Sequence, residues 1–216
     1  MRPPASILQT PMEAGIPSPR TGPLRVLALS GSLRSASSNS LILQAAQALA
    51  PSGVHVEFYL GLADLPHFNP DDDTDTGRPP AVRLFRAQVA AADALLVSSP
   101  EYAHGVPGSL KNALDWLVSG LEFPSLPVAL LNTAPRAVHA QAALVETLKT
   151  MSAELLTPAV VEVPMAGRQL SLDQVVSDPT LAGPIRAVLN NLETAAREVR
   201  LAGRRLVTIA GDPVAP

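Results

Sequence analysis

Five short apolar runs, each followed by a stretch of different periodicity, constrain this chain more than any other feature it carries. Leu24–Ser30 (LRVLALS), Val54–Tyr59, Ala94–Ser99, Pro127–Leu131 and Ala159–Val163 are nearly continuous in apolar character. Strands covered on both faces have that pattern. Behind them, apolar residues recur at helical spacing. Leu41, Ile42, Ala45, Ala48 and Leu49 form one stripe, stopped at Pro51–Gly53. Ala81–Ala92 reads as a second helix, and Leu110, Ala113, Leu114, Leu117 and Val118 mark a third. Leu144, Val145, Leu148, Met151 and Leu155 stripe a fourth; Leu181, Ile185, Val188, Leu189, Leu192 and Val199 mark a long closing one. Residues 60–80 hold Pro66, Pro70, Pro79, Pro80 and an acidic stretch, and read as a long loop. The expectation is an α/β fold with a five-stranded parallel sheet and helices on both faces.

Ligands of such open sheets bind beyond the carboxyl ends of the strands, where the strand order reverses. That points to segments 30–39, 98–108 and 131–137. Composition narrows what they do. The chain has 216 residues, 47% of them hydrophobic and 16% charged, enough for one packed unit. We read residues 1–23 as a flexible Pro-rich arm, 24–210 as the domain and 211–216 as a tail. Lys+Arg total 16 against 19 Asp+Glu, a net charge of −3 that offers no nucleic-acid footprint. The absence of cysteine excludes disulfides, thiolate zinc sites, Cys-ligated clusters and a Cys nucleophile. No apolar stretch reaches the roughly 18 residues of a membrane span, and the N-terminus lacks the apolar segment of a signal peptide. These features fit a cytoplasmic protein.

The segment Ser30-Gly31-Ser32-Leu33-Arg34-Ser35-Ala36-Ser37-Ser38-Asn39 joins a strand to a helix. Its hydroxyls, its small residues, the helix N-terminus and the Arg34 guanidinium suit a terminal phosphate monoester. A Ser-rich turn with Ser37 or Ser38 as N-cap accounts for the same residues. It is neither a Walker A loop nor G-x-G-x-x-G. In Pro100-Glu101-Tyr102-Ala103-His104-Gly105-Val106-Pro107-Gly108, two prolines and two glycines fix the backbone path. Tyr102 and His104 offer planar surfaces to a substrate, although a packed tyrosine and a surface histidine are the simpler readings. Glu101 is as well suited to accept from a loop amide as to serve a ligand.

Gly31-Ser32-Leu33-Arg34 followed by Ser37 and Asn39, and Pro100-Glu101-Tyr102 followed by Pro107-Gly108, Leu110-Lys111-Asn112-Ala113 and Asp115-Trp116, closely resemble the NADPH-dependent FMN reductase family. The resemblance spans roughly residues 24–200. It implies a flavodoxin-like fold, strand order 2-1-3-4-5, and non-covalent FMN reduced by NADPH or NADH. It places Ser32, Leu33, Arg34, Ser37, Ser38 and Asn39 around the FMN phosphate. Pro100, Glu101, Tyr102 and Ala103 run along the isoalloxazine, mostly through backbone, and Thr133 joins the cofactor set. Tyr102 and His104 are the expected substrate contacts. The acceptor classes implied are quinones, azo compounds, free flavins and metal oxyanions, by a ping-pong mechanism with no obligatory catalytic side chain. The family assembles as homodimers or homotetramers, with the helix bearing Lys111, Asp115 and Trp116 at the contact. Many members have Asn where this chain has Ala103, and a Ser/Gly-rich loop in place of Asn132-Thr133-Ala134-Pro135-Arg136.

Other chemistries are weaker. Asp71, Asp72, Asp73 and Asp75 lack the spacing of a calcium loop and read as a solvated acidic loop. His55, His67, His104 and His139 are scattered without an H-E-x-x-H pairing, so no metal is expected. No G-x-S-x-G elbow is present. Trp116 reads as core or interface. The competing functional class is a non-catalytic electron-transfer flavoprotein; a flavin-free binding module is a third.

Overall fold

Alternate residues of the central strands feed two separate cores, which is why their sequences are apolar throughout. In β1 (Leu24–Ser30), Val26 and Ala28 face one side while Leu27 and Leu29 face the other. The same division holds in β3 (Ala94–Ser98) and β4 (Pro127–Asn132), both buried along their whole length. One core is closed by α1 (Ser38–Ala48), α5 (Leu172–Ser177) and α6 (Pro179–Leu201). The other is closed by α2 (Pro80–Ala91), α3 (Gly108–Asp115) and α4 (Val138–Thr150). With β2 (Val54–Phe58) and β5 (Glu154–Glu162) at the edges, every pairing is parallel and the order is β2-β1-β3-β4-β5. The expected architecture is borne out. This computed structural model describes residues 22–165 and 167–202. The arm read at 1–23, apart from Gly22 and Pro23, and the tail at 211–216 lie outside them. Among the described residues, no helix is long and apolar enough to cross a membrane.

Three local expectations need correction, and one short helix, α5, is additional to those expected. Leu155 continues the helical stripe of α4 on paper, but the helix stops at Thr150 and Leu155 lies in β5, opposite Val128. That strand begins at Glu154, ahead of the Ala159–Val163 run, and its ladder shifts register between Val128 and Leu130. As an edge strand it is only half buried, so it lacks a continuous apolar run. Val118 is 64% exposed because α3 ends three residues before it. The short α5 is marked by a capping box: Ser171 Oγ accepts from Gln174 N and the Gln174 side chain accepts from Ser171 N.

The acidic loop is not simply solvated. Asp71, Asp72 and Asp75 are exposed, but Asp73 is turned inward. Arg78 Nη2 lies 2.7 Å from its Oδ1 and Arg86 Nη1 3.2 Å, and Ser119 Oγ donates to its Oδ2. Arg86 Nη2 also donates to Glu122 Oε2 at 3.1 Å. The same loop is held to α3 and the turn after it. Pro66 O accepts from Asn112 Nδ2 at 2.9 Å and from Trp116 Nε1 at 2.8 Å, and Trp116 meets Phe68 edge-on at 5.0 Å. Trp116 is therefore core, fully buried within one chain, while Lys111 and Asp115 pair with each other outside.

Burial would raise the Asp73 carboxyl, but hydrogen bonds from Ser119 and Arg78 and the charges of Arg78 and Arg86 hold it below the usual value. Such a group contributes stability above its unfolded value of about 3.9 and loses it as pH falls through the folded one. Asp73→Asn is expected to cost about 2–3 kcal/mol near neutrality, the scale of hydrogen bonds to charged groups. In urea unfolding the gap between the two proteins closes below about pH 4. A gap undiminished at still lower pH would mean that the carboxylate charge is not what stabilises the loop.

Candidate functional site

The carboxyl ends of β1 and β3 finish side by side, Ser30 opposite Ser98. The chain crosses this edge at Gly31, where an added Cβ would fall 2.5 Å from Ser99 Oγ and 3.1 Å from Leu110 Cδ2. Only glycine passes that close. Ser37 then caps α1, its Oγ accepting from Asn39 N at 3.2 Å and Ser40 N at 3.3 Å. Ser32 Oγ accepts from Arg34 N at 3.3 Å. The capping reading of this loop is thus correct, but it leaves much unused. Ser32 and Ser37 accept through their oxygens and keep their O–H protons to donate. Among the described residues, no acceptor takes the backbone N–H of Ser35, Ala36, Ser37 or Ser38, and the Arg34 guanidinium and Ser38 hydroxyl have no partner. Leu33 is exposed beside them.

Asn39 and Thr133 sit deeper. Asn39 Oδ1 lies 2.9 Å from Ser98 Oγ and 3.3 Å from Thr133 Oγ1, and Ser98 Oγ is also 2.8 Å from Leu131 O. All three residues are buried. Their side chains bind the start of α1 to the ends of β3 and β4. Asn132 Oδ1 accepts from Ala134 N at 3.0 Å and turns the chain into the segment before α4.

The loop after β3 is a two-residue hairpin. Tyr102 N donates to Gly105 O at 3.1 Å and Gly105 N to Tyr102 O at 2.9 Å. Ala103 and His104 between them have φ of 49° and 60°. Paired left-handed residues make a type I′ turn, which favours Asn-Gly. The hairpin is fastened from α4. Glu101 Oε2 accepts from Ala140 N at 2.8 Å, supplying the cap that Ala137 cannot and meeting the positive end of the helix. Of the two readings of Glu101 the structural one is the nearer, but the amide it accepts from belongs to the first turn of α4 and not to a loop. Gln141 Nε2 donates to Ser99 O at 3.2 Å, while its buried Oε1 has no partner among the described residues. His104 stacks on His139, ring centroids 4.2 Å apart and planes 25° apart. Tyr102 stands 56% exposed beside them.

The structure therefore brings the expected residues into two groups at one edge: Ser32, Leu33, Arg34, Ser37 and Ser38 on the β1 side, and Pro100, Glu101, Tyr102, Ala103 and His104 on the β3 side. Asn39 and Thr133 lie between as ties. Sequence reasoning missed His139 and Gln141. Both come from a helix remote in sequence, and no local motif marks them.

A doubly wound parallel sheet in this order, with a phosphate-suited loop at its switch point, defines a flavodoxin-like protein. The chain belongs to the NADPH-dependent FMN reductase family, which residues 24–169 match. An NAD(P)H-dependent FMN reductase of Pseudomonas aeruginosa is 44% identical over 113 residues, 51% of this chain and 60% of that protein. A quinone reductase of Escherichia coli K12 is 36% identical over 106 residues, 49% of this chain and 55% of that protein. The chain spans about half to three-fifths of the length of the curated relatives it matches. Among solved structures, the flavoenzyme NAD(P)H:(acceptor) oxidoreductase FerB of Paracoccus denitrificans superposes with a TM-score of 0.62 at 27% identity, over 80% of this chain and 98% of that one.

Left-handed backbone is unfavourable for alanine, and Asn tolerates it through its short polar side chain. Ala103→Asn is expected to raise stability by about 1 kcal/mol, read as a higher melting temperature. A lower one would show that the Ala103 methyl sits where nothing longer fits.

Proposed function

We propose that this protein binds FMN and uses it to carry hydride from NADPH or NADH to a quinone, an azo compound, a free flavin or a metal oxyanion. One observation carries the reading: among the described residues, the Arg34 guanidinium, the Ser38 hydroxyl and four backbone N–H groups of loop 30–39 have no partner, all at the switch point. Such a donor set fits a phosphate monoester dianion. Ser32 and Ser37 donate their O–H protons to it, Ser38 adds a third, and Arg34 neutralises it. Leu33 gives apolar cover. Asn39 and Thr133 keep the loop in register with β3 and β4. When bound, FMN supplies the hydride-transferring centre, so no acid–base side chain is required.

Opposite the phosphate seat, Pro100, Glu101, Tyr102 and Ala103 present backbone and a fixed hairpin to the ring system. Glu101 acts through Ala140, holding that hairpin rather than touching a ligand with its carboxylate. Tyr102 and the His104 ring, backed by His139, form the surface against which nicotinamide and acceptor lie. The reading includes a cytoplasmic setting, where NAD(P)H is supplied. It also includes a homodimer or homotetramer, for which the exposed Val118 and Leu121 offer apolar surface.

The test is NAD(P)H oxidation by the FMN-loaded protein with a quinone as acceptor. Turnover supports the reductase, and its absence in a protein that holds FMN favours an electron carrier. Two further outcomes are expected. Arg34→Ala weakens FMN by about 10- to 150-fold, as expected for one charge-assisted hydrogen bond, and spares riboflavin, which lacks the phosphate. Initial rates give parallel double-reciprocal lines, because donor and acceptor share one surface, and His104→Ala shifts both Michaelis constants together. Intersecting lines would mean two separate substrate sites.

A further inference from the structure

Beyond the proposed phosphate seat, loop 30–39 also faces segment 167–170. A cleft of about 720 Å³ opens between that loop, the flank of α1 and segment 167–170. Arg34 and residues 35–38, which belong to the proposed phosphate seat, share its walls with Ser40, Gln44, Arg168 and Gln169, and among the described residues no carboxylate lines it. Among the described residues Arg168 pairs with Asp178, whose Oδ2 lies 3.7 Å from Nη2. Asp178 is already engaged through Oδ1, which accepts from Thr180 N at 2.9 Å and Thr180 Oγ1 at 2.6 Å to cap α6. Two guanidiniums therefore border one polar cleft, Arg34 without an ion pair among the described residues and Arg168 with only the 3.7 Å pair to Asp178. In a chain of net charge −3 that is an unusual concentration of positive charge.

Size and position both argue for more than a phosphate monoester. The volume, which takes in the phosphate seat, falls within the roughly 300–1,000 Å³ of small-molecule pockets and leaves room beside one phosphate. The cleft belongs to the face of the sheet covered by α1 and α5, whereas the Tyr102–Gly105 hairpin is fastened to α4 on the other face. Loop 30–39 lies between them. A ligand that reaches both must straddle the carboxyl edge of the sheet. A dinucleotide, with two ends to place, is a ligand of that kind.

We propose that the cleft is a second phosphate subsite that takes the 2′-phosphorylated ribose of NADPH, with Arg168 as the residue that separates NADPH from NADH. This rests on the FMN reductase reading and extends it. The planar guanidinium of Arg168 addresses a phosphate dianion through two parallel N–H donors. Gln44 and Gln169 supply donors and acceptors for the sugar and base. NADH, ending in a free 2′-hydroxyl, leaves Arg168 without an anion.

The experiment titrates FMN-loaded protein by calorimetry with ADP-ribose and with its 2′-phosphate, fragments that lack nicotinamide and cannot turn over. The phosphorylated fragment is expected to bind at least about 10-fold tighter, the scale of a charge-assisted hydrogen bond. Arg168→Gln abolishes that preference while the FMN dissociation constant and melting temperature stay unchanged. Arg168→Lys, which keeps the charge but loses the paired donors, retains part of it. Equal affinity of the two fragments for the parent protein overturns the proposal, as does an equal loss for both in Arg168→Gln. A loss of FMN affinity instead, with riboflavin spared, overturns it by assigning Arg168 to the flavin phosphate. A protein that takes up no FMN fails at the flavin reading itself, which the fragment titrations separate from failure at the cleft.

Discussion

Everything at the candidate site depends on one buried polar tie. Asn39, at the start of α1, is bonded to Ser98 at the end of β3 and to Thr133 just beyond β4. The three strands β1, β3 and β4 are already parallel neighbours, but ladder bonds stop at their ends, where the loops diverge. A buried amide and two hydroxyls continue the connection past that point. Ser98 keeps a second partner in Leu131 O, whereas Thr133 Oγ1 has Asn39 alone among the described residues, so displacing Asn39 strands a buried hydroxyl at about 1–3 kcal/mol. That penalty keeps loop 30–39 and the segment after β4 in fixed relation. It also shows why Asn is suited to position 39 beyond any contact with a ligand: its carbonyl accepts from two hydroxyls at once.

The hairpin on the β3 side is held differently. Its two left-handed residues, neither of them glycine, are unfavourable in isolation. Fastening from α4 offsets this through the Glu101 bond to Ala140, the Gln141 bond to Ser99 and the His104–His139 stack. The first of these meets a helix N-terminus, where a carboxylate is stabilised by the dipole as well as by the hydrogen bond. Strain in the turn and satisfaction of the helix end are thus coupled. The helix would otherwise leave an N–H free, and the turn would otherwise relax.

Burial on both faces made β1, β3 and β4 legible in the sequence. In runs this short, unbroken apolar character goes with a strand that meets no solvent on either side. The edge strand β5 was half legible, because solvent on one side admits Glu154, Thr157 and Glu162 and breaks the run. Leu155 was misplaced for the converse reason: a half-buried edge residue kept a helical interval from Met151. The β1 side of the site was visible as a local motif. The tie, the His104–His139 stack and the Arg168 wall were not, since each is made by segments that meet only after the sheet has formed. Asp73 shows the same limit, being one of four similar aspartates in sequence and the one that two arginines draw inward.

Net charge is a poor guide to what this edge can hold. The chain is acidic overall at −3, yet the segments that converge on loop 30–39 bring Arg34 and Arg168 together without a lining carboxylate. Several acids are already committed elsewhere: Asp73 to Arg78 and Arg86, Asp93 to Arg200, and Glu101 to the α4 N-terminus. Others, such as Asp71, Asp72 and Asp75, are exposed, where solvent and salt damp their reach beyond about 8 Å. An approaching anion therefore responds chiefly to local groups, here two guanidiniums with no lining carboxylate among the described residues. The fold sorts its charges by burial and pairing. That sorting, rather than the balance of acidic and basic residues, lets an acidic protein gather two guanidiniums at one cleft.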